Sequence, residues 1–320
     1  MIKNISKNML AGAVCSALVA PAAIAADVVI GVPNWPSVLV TAHVLKVALE
    51  DNLGLEVELQ NGTNPVVFEA MDAGSMHVHP EVWLPNQTNL HNKYVKENKS
   101  VRINPNGVAG DQAMCVTKGT ADRTGIKELA ELSNPDMSKN FDTDGDGKGE
   151  IWIGAAGWAS TNVEKIRAKS YGYDQIFDLT EYEETIAYAN LANATKAGEP
   201  WIGFCYSPHY IFVTQDLTVL EEPPHDPATW TIVQPTDDPD WLDKSEASTA
   251  WNGATLHLHY AKELEENHPE VAALFRNYQM QGDDLSAMGK ALAVDNMEAA
   301  DFARQWVAEN EDTVIGWLTN

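Results

Sequence analysis

The chain alternates short apolar runs with amphipathic stretches, the pattern of strands and helices taking turns. Residues 28–32 read as a strand. Pro36 opens a helix that runs through Leu49 and stops at Gly54, with Pro in the first turn and Gly past the last, as helices prefer. Residues 55–59 form the next strand, Asn64 and Pro65 start a helix through Met71, and 77–84 is a third strand running into a loop. This is a βαβαβ unit, completed by a helix near 86–97 and a short strand near 101–104.

Residues 106–118 then read as a crossing into a second alternating set. The pattern predicts a helix over 126–132, a strand over 151–155, and a helix opened by Thr161 with Glu164 three residues on, a capping box. A helix over 186–197 and an apolar strand over 201–206 follow, and after Tyr210 the chain is expected to cross back. Residues 222–246, rich in Pro and Asp, are expected to wrap the surface. From 263 onward the pattern is amphipathic helix, with Phe275, Leu285, Met288, Leu292, Phe302 and Trp306 on apolar faces; Trp306 and Trp317 read as core. Two α/β lobes joined by two crossings place a cleft at the strand ends. The boundaries expected are 26–108 with 212–320 for the first lobe and 109–211 for the second.

The first 25 residues read as a signal peptide. Lys3 and Lys7 precede an apolar stretch from Met9 to Ala20, and Ala23-Ile24-Ala25 fits a cleavage site. The stretch is too short for a membrane anchor, and Cys15 follows Val14 where a lipoprotein site requires a small residue. Export to the periplasm is the expectation. Without the leader the formal charge moves from −25 to about −27. A surface this acidic repels nucleic acid and anionic lipid, and suits cationic or zwitterionic small solutes. Cys115 and Cys205 remain, each in a strand-like run; in an oxidising compartment they either pair or stay as two buried thiols.

Composition changes the picture most through tryptophan, which occurs ten times. Three of these sit among turn-forming residues: Asn34-Trp35-Pro36-Ser37, Trp83-Leu84-Pro85-Asn86 and Gly157-Trp158-Ala159-Ser160. A tryptophan at the end of a strand is badly placed to fill a core and well placed to line a cleft. All three fall at the predicted strand ends, and Tyr206 and Tyr210 flank Ser207-Pro208-His209 after the last strand of the second set. Electron-rich aromatic faces attract cations, and a quaternary ammonium group loses no hydrogen bond on entering such a cage.

These segments resemble the substrate-binding proteins of glycine betaine, choline and related osmolyte ABC importers. The resemblance is carried by Gly31 to Ser37, Glu81-Val82-Trp83-Leu84-Pro85, Gly154 to Trp158, Gly203 to Tyr210, and Trp306 to Asn310, which together span nearly the whole mature chain. It implies a two-lobed, hinged α/β binding protein of type II, monomeric, that presents its solute to a membrane permease. It also implies an aromatic cage for a trimethylammonium head, formed here by Trp35, Trp83 and Trp158 with Tyr206 and Tyr210. Some family members carry Trp in the Ser-Pro-His segment where this chain has tyrosine. The acidic loop before Ile151 looks like the arrangement in the trimethylamine N-oxide binding branch, which favours that ligand over glycine betaine, choline or carnitine.

In that loop Asp142, Asp144, Asp146 and Glu150 place oxygen ligands at calcium-loop spacing, with Gly147 at the sharp turn and the Lys148 carbonyl as a further ligand. Three aspartates at alternate positions repel one another unless a cation sits between them, so a structural Ca²⁺ is expected. A rival reading, a periplasmic metal-dependent hydrolase, rests on the pairs His77/His79 and His257/His259, whose spacing on strands could bind zinc. No third ligand, general base or nucleophile stands at a recognised spacing, so the expectation is a binding protein and not an enzyme.

Overall fold

The apolar runs become strands of one extended sheet in this computed structural model, which describes residues 26–319. The expected leader lies outside the described residues. Strand β1 (Val28–Val32) is buried along most of its length, as a central parallel strand requires. β2 (Val57–Asn61) and β3 (Val78–Leu84) flank it in parallel, with Val28 opposite Val57 and Ile30 opposite Val78. The crossover helix Pro36–Leu53 starts where Trp35, in extended conformation, gives way to Pro36, and it ends at Gly54. Gly54 adopts φ 66° while its N–H reaches the Glu50 carbonyl at 3.0 Å, a left-handed cap that favours glycine.

The short β4 (Val101–Ile103) leads into β5 (Val108–Thr117), and the second set comprises β6 (Gly149–Trp152), β7 (Phe177–Thr180), β8 (Ile202–Ser207) and β9 (Leu217–Val219). A two-residue pair, β10 (Trp230–Thr231) with β11 (Glu246–Ala247), precedes β12 (Ala254–Ala261). The sheet order is β2-β1-β3-β12-β5-β8-β6-β7, with β4 on β12 and β9 on β5. β12 and β5 join the lobes: Leu256 lies opposite Trp83, Ala254 opposite Gly110, and Gln112 opposite Tyr206. At that junction a Cβ on Gly110 would sit 2.7 Å from the Ser207 carbonyl oxygen, so the close approach of the two sets needs glycine.

Helices 282–293 and 299–309 cover the helix Pro36–Leu53. Trp306 and Trp317 stack at 5.9 Å in the core, as expected. Cys115 and Cys205 pair in a disulfide between β5 and β8, their Cα atoms 5.9 Å apart. Among the described residues no helix is long and apolar enough to cross a membrane.

Several expectations differ from the structure. The helix expected to open at Thr161 spans Ala159–Tyr171, and no capping box forms. Thr161 instead donates to the Ala155 carbonyl at 2.7 Å, and Glu164 is buried against Arg167. The expected strand over 151–155 occupies Gly149–Trp152, because Gly154, at φ 124°, turns the chain away. The helix near 86–97 is a short α segment, Thr88–His91, followed by a wider turn of helix, Asn92–Glu97.

Residues after Tyr210 do not cross back at once. β9 pairs with Cys115–Thr117 in the second set. Arg167, fully buried on the helix Ala159–Tyr171, bonds the Glu222 carboxylate at 2.5 Å and the Thr249 carbonyl at 2.6 Å. Trp251 completes this knot by donating to Glu164 at 2.7 Å. These bonds hold Glu222, Thr249 and Trp251 against the helix Ala159–Tyr171. We therefore propose the return crossing at 251–254, where the chain enters β12.

Candidate functional site

Four of the five aromatic residues singled out in the sequence meet at one cavity. Trp35 follows β1, Trp83 ends β3, Trp158 precedes the helix Ala159–Tyr171, and Tyr206 lies near the end of β8. Their rings stand edge to face: Trp35–Trp158 at 6.1 Å and 88°, Trp158–Tyr206 at 6.1 Å and 80°, Trp83–Tyr206 at 5.1 Å and 84°. They surround a cavity of about 40 Å³, with Phe204 and the polar residues Asn64, Gln87 and Ser160 also on its wall. Tyr210 does not line this cavity. It is buried beside His209 and Tyr188, and its ring abuts Gly289 on the helix Gly282–Ala293 of the first lobe.

Each ring of the cage has its N–H or O–H group tied to a partner. Trp35 Nε1 and Trp83 Nε1 both donate to Glu81 Oε1, at 2.9 and 3.2 Å. The Ser37 hydroxyl donates to the same carboxylate at 3.0 Å. Trp158 Nε1 reaches across the cleft to Asn34 Oδ1 at 3.0 Å, and the Asn34 amide donates to the Ala156 carbonyl at 3.5 Å. The Tyr206 hydroxyl donates to Glu184 Oε2 at 2.6 Å, and His209 Nε2 lies 2.9 Å from Glu184 Oε1.

Burial pushes the Glu81 carboxyl up to about 7 against the opposing pull of its three donors. Burial and the neighbouring Glu184 carboxylate push the Tyr206 hydroxyl well above its ordinary value, so it remains a donor. His79 sits beneath Trp35, its rings 6.3 Å apart, and burial holds it neutral, down at about 3. Its Nδ1 accepts from the Glu81 backbone N–H at 3.3 Å, so Nε2 carries the proton and donates to Asn64 Oδ1 at 2.9 Å. That bond fixes the Asn64 amide with its NH₂ as the remaining donor on the cavity wall.

Glu81, Asn64, Glu184 and Asn34 were not read from the sequence as site residues. Glu81 had a signal, since it stands two positions from Trp83 on one strand and so on the same face. Glu184 had none, because only the tertiary fold brings it to Tyr206.

In the acidic loop, ligand oxygens of Asp142, Asp144, Asp146 and Glu150 lie within 4.8 Å of one another. Asp142 accepts from the backbone N–H groups of Gly145 and Gly147 at 2.7 and 3.0 Å, and Gly147 takes φ 97° at the turn. Glu150 Oε2 is bonded by Thr143, while its Oε1 is buried without a partner among the described residues. The Lys148 side chain pairs with Asp178 at 2.9 Å. The histidine pairs are bound to separate partners: His77 Nδ1 accepts from Val29 N–H, His257 meets the Asn104 carbonyl, and His259 meets His91. Among the described residues the acidic loop is the one convergent set of potential metal ligands.

Residues 26–309 match the family described as the substrate-binding domain of ABC-type glycine betaine transport systems. A trimethylamine N-oxide-binding protein of Pelagibacter ubique is 24% identical over 289 residues, covering 89% of this chain and 88% of that protein. A glycine betaine/proline betaine-binding periplasmic protein of Escherichia coli is 23% identical over 297 residues, covering 89% of this chain and 85% of that one. The fold matches an ABC-transporter choline-binding protein in complex with choline, with a TM-score of 0.70, 19% identity and 91% of each chain covered. It also matches lactococcal OpuAC in its closed, glycine betaine-liganded conformation, with a TM-score of 0.68, 18% identity, and coverage of 91% of this chain and 99% of that one.

Proposed function

Because the chain belongs to the family of substrate-binding domains of ABC-type glycine betaine transport systems, we propose that it binds one compact trimethylated ammonium solute, with trimethylamine N-oxide favoured, in the cage of Trp35, Trp83, Trp158 and Tyr206. The observation that carries this reading is the tying-off of all four ring edges around a shared cavity. Rings so held turn their negative faces, not their N–H or O–H groups, to the ligand. Each desolvated cation–π contact contributes on the order of 2 kcal/mol, and micromolar affinity requires about −8 kcal/mol. Four rings with methyl burial reach that after the cost of lobe closure.

The anionic end of such a solute has donors at hand. Ala159 and Ser160 open a 13-residue helix on the cavity wall, where backbone N–H groups and the helix dipole favour negative charge. The Asn64 NH₂ is a further donor. Glycine betaine, as in the names of several relatives, is the second reading, and choline and carnitine carry the same head group. In this account the protein is an exported periplasmic monomer that closes on its solute and hands it to a membrane permease. We also assign a structural Ca²⁺ to Asp142, Asp144, Asp146 and Glu150 with the Lys148 carbonyl. The converging oxygens and the unpartnered Glu150 Oε1 fit a hard cation just ahead of β6.

Calorimetric titration with trimethylamine N-oxide, glycine betaine, choline and carnitine tests the proposal. Micromolar binding of at least one is expected, with trimethylamine N-oxide ahead. Binding of all four weaker than millimolar would contradict it.

A further inference from the structure

The carboxylate of Glu81 lies behind the cage and outside its lining, yet two of the four rings hang on it. Trp35 and Trp83 direct their N–H groups to a single oxygen, Oε1, and Ser37 lies within bonding distance of both oxygens, at 3.0 and 3.1 Å. Three donors and no acceptor surround the group, an arrangement suited to an ionised carboxylate. Glu81 is 3% exposed. Among the described residues no basic side chain pairs with it; its partners are two indoles and a hydroxyl. Buried charges are ordinarily paired. A trimethylammonium group held between the indole faces would be the nearest cation.

Resting on the reading of the cage as a methylammonium site, we propose that Glu81 is its positioning and charge-selecting residue: one carboxylate fixes both indole planes and sets a negative charge behind their faces, so the pocket selects by positive charge as well as by methyl shape. Two effects act together. An N–H donating to an anion polarises its indole and makes the face more negative. The charge itself also acts through a dry environment, where screening is weak.

The second lobe repeats the device. Glu184, buried and bonded to Tyr206 and His209, stands behind Tyr206, whose ring meets Trp83 at 5.1 Å. Closure therefore brings two ring-holding carboxylates to opposite sides of one cavity. A cation between them relieves their repulsion, whereas a neutral solute of the same shape does not.

The groups facing Glu81 define the pH response. His79 stays neutral through the working range, and Tyr278 is held above its ordinary value by burial and by Glu81. Glu184 raises Glu81 across the cavity, with His209 on its far side. The Glu81 carboxyl, lifted to about 7, keeps its proton in the free protein below that pH, and a bound cation favours the ionised form. Affinity for a permanent cation should therefore rise by up to about tenfold per pH unit towards pH 7 and level off above it.

The test compares wild type with Glu81→Gln, which keeps an acceptor oxygen for the indoles and removes the charge. The probes are choline, trimethylamine N-oxide, glycine betaine and the neutral carbon analogue of choline, in which tert-butyl replaces trimethylammonium. The loss on substitution should grade with ligand charge: about tenfold or more for choline, about threefold for the two zwitterions, and under about twofold for the neutral alcohol. A uniform loss across all probes, or none, would overturn charge selection. Wild-type affinities from pH 5.5 to 8.5 decide independently of whether the variant folds. A rise levelling near pH 7 for each trimethylated probe that binds, with none for the neutral analogue, is expected. A flat profile for the cations would overturn the proposal. Failure of wild type to bind any trimethylated probe would remove the methylammonium reading itself, and this inference with it.

Discussion

The two walls of the cleft hold their rings by different means. In the first lobe Trp35 and Trp83 share one buried anchor, Glu81, supplied by the same lobe. In the second lobe Tyr206 has a local anchor in Glu184, but the Trp158 N–H finds its partner on Asn34, across the cleft. The first wall is thus complete in itself, while the second is finished only when the lobes meet. From this difference we propose an order of binding in which solute docks on the Glu81 wall and closure then brings Trp158 to Asn34.

The largest effect should come from breaking the self-contained wall. Trp83→Ala removes a ring that touches both Glu81 and Tyr206, and should weaken solute binding by about 30-fold, the equivalent of one desolvated cation–π contact. Far-UV circular dichroism should stay unchanged; wild-type affinity in this variant would remove the ring from the site. Asn34→Ala leaves every cage ring in place and removes only the cross-cleft bond. A loss of about fivefold is expected, carried by faster dissociation. Slower association with unchanged dissociation would reverse the proposed order.

The acidic loop precedes β6 and so supports the second wall from a distance. If Ca²⁺ holds it, a chelator should lower the melting temperature and added calcium restore it, by mass action on the folded state. An unchanged melting curve through that cycle would leave the loop as a solvated turn. Smallest of all is Tyr210→Phe, which removes a hydroxyl from a ring packed outside the cavity against Gly289. Affinity should change by less than about twofold; a tenfold loss would return Tyr210 to the cage.

The first wall was the more legible in sequence, for a physical reason. Its elements follow one another in a βαβ unit whose turns are marked by Pro36, Gly54 and Pro65, so local signals place Trp35 and Trp83 at strand ends. Trp158 was legible in the same way, from the glycines around it. Of what holds the rings only Glu81 left a trace in the sequence, two positions from Trp83 on one strand, because Glu184 and Asn34 are brought to Tyr206 and Trp158 from other elements. The capping box at Thr161 and Glu164 misled for the same reason. Its local pattern lost to a buried knot of Glu164, Arg167, Glu222 and Trp251. The cysteines were legible only as candidates, since pairing depends on β5 and β8 being neighbours.

The central claim is that aromatic faces read a weakly hydrated, methylated cation. Each methyl group replaced by N–H adds a donor that the rings satisfy poorly and whose dehydration costs free energy. The direct measurement is a set of dissociation constants, at fixed salt and pH, for trimethylamine N-oxide, glycine betaine, dimethylglycine and proline. The account predicts that both trimethylated solutes bind more tightly than dimethylglycine and proline. Tighter binding of proline or dimethylglycine than of both trimethylated solutes would contradict it.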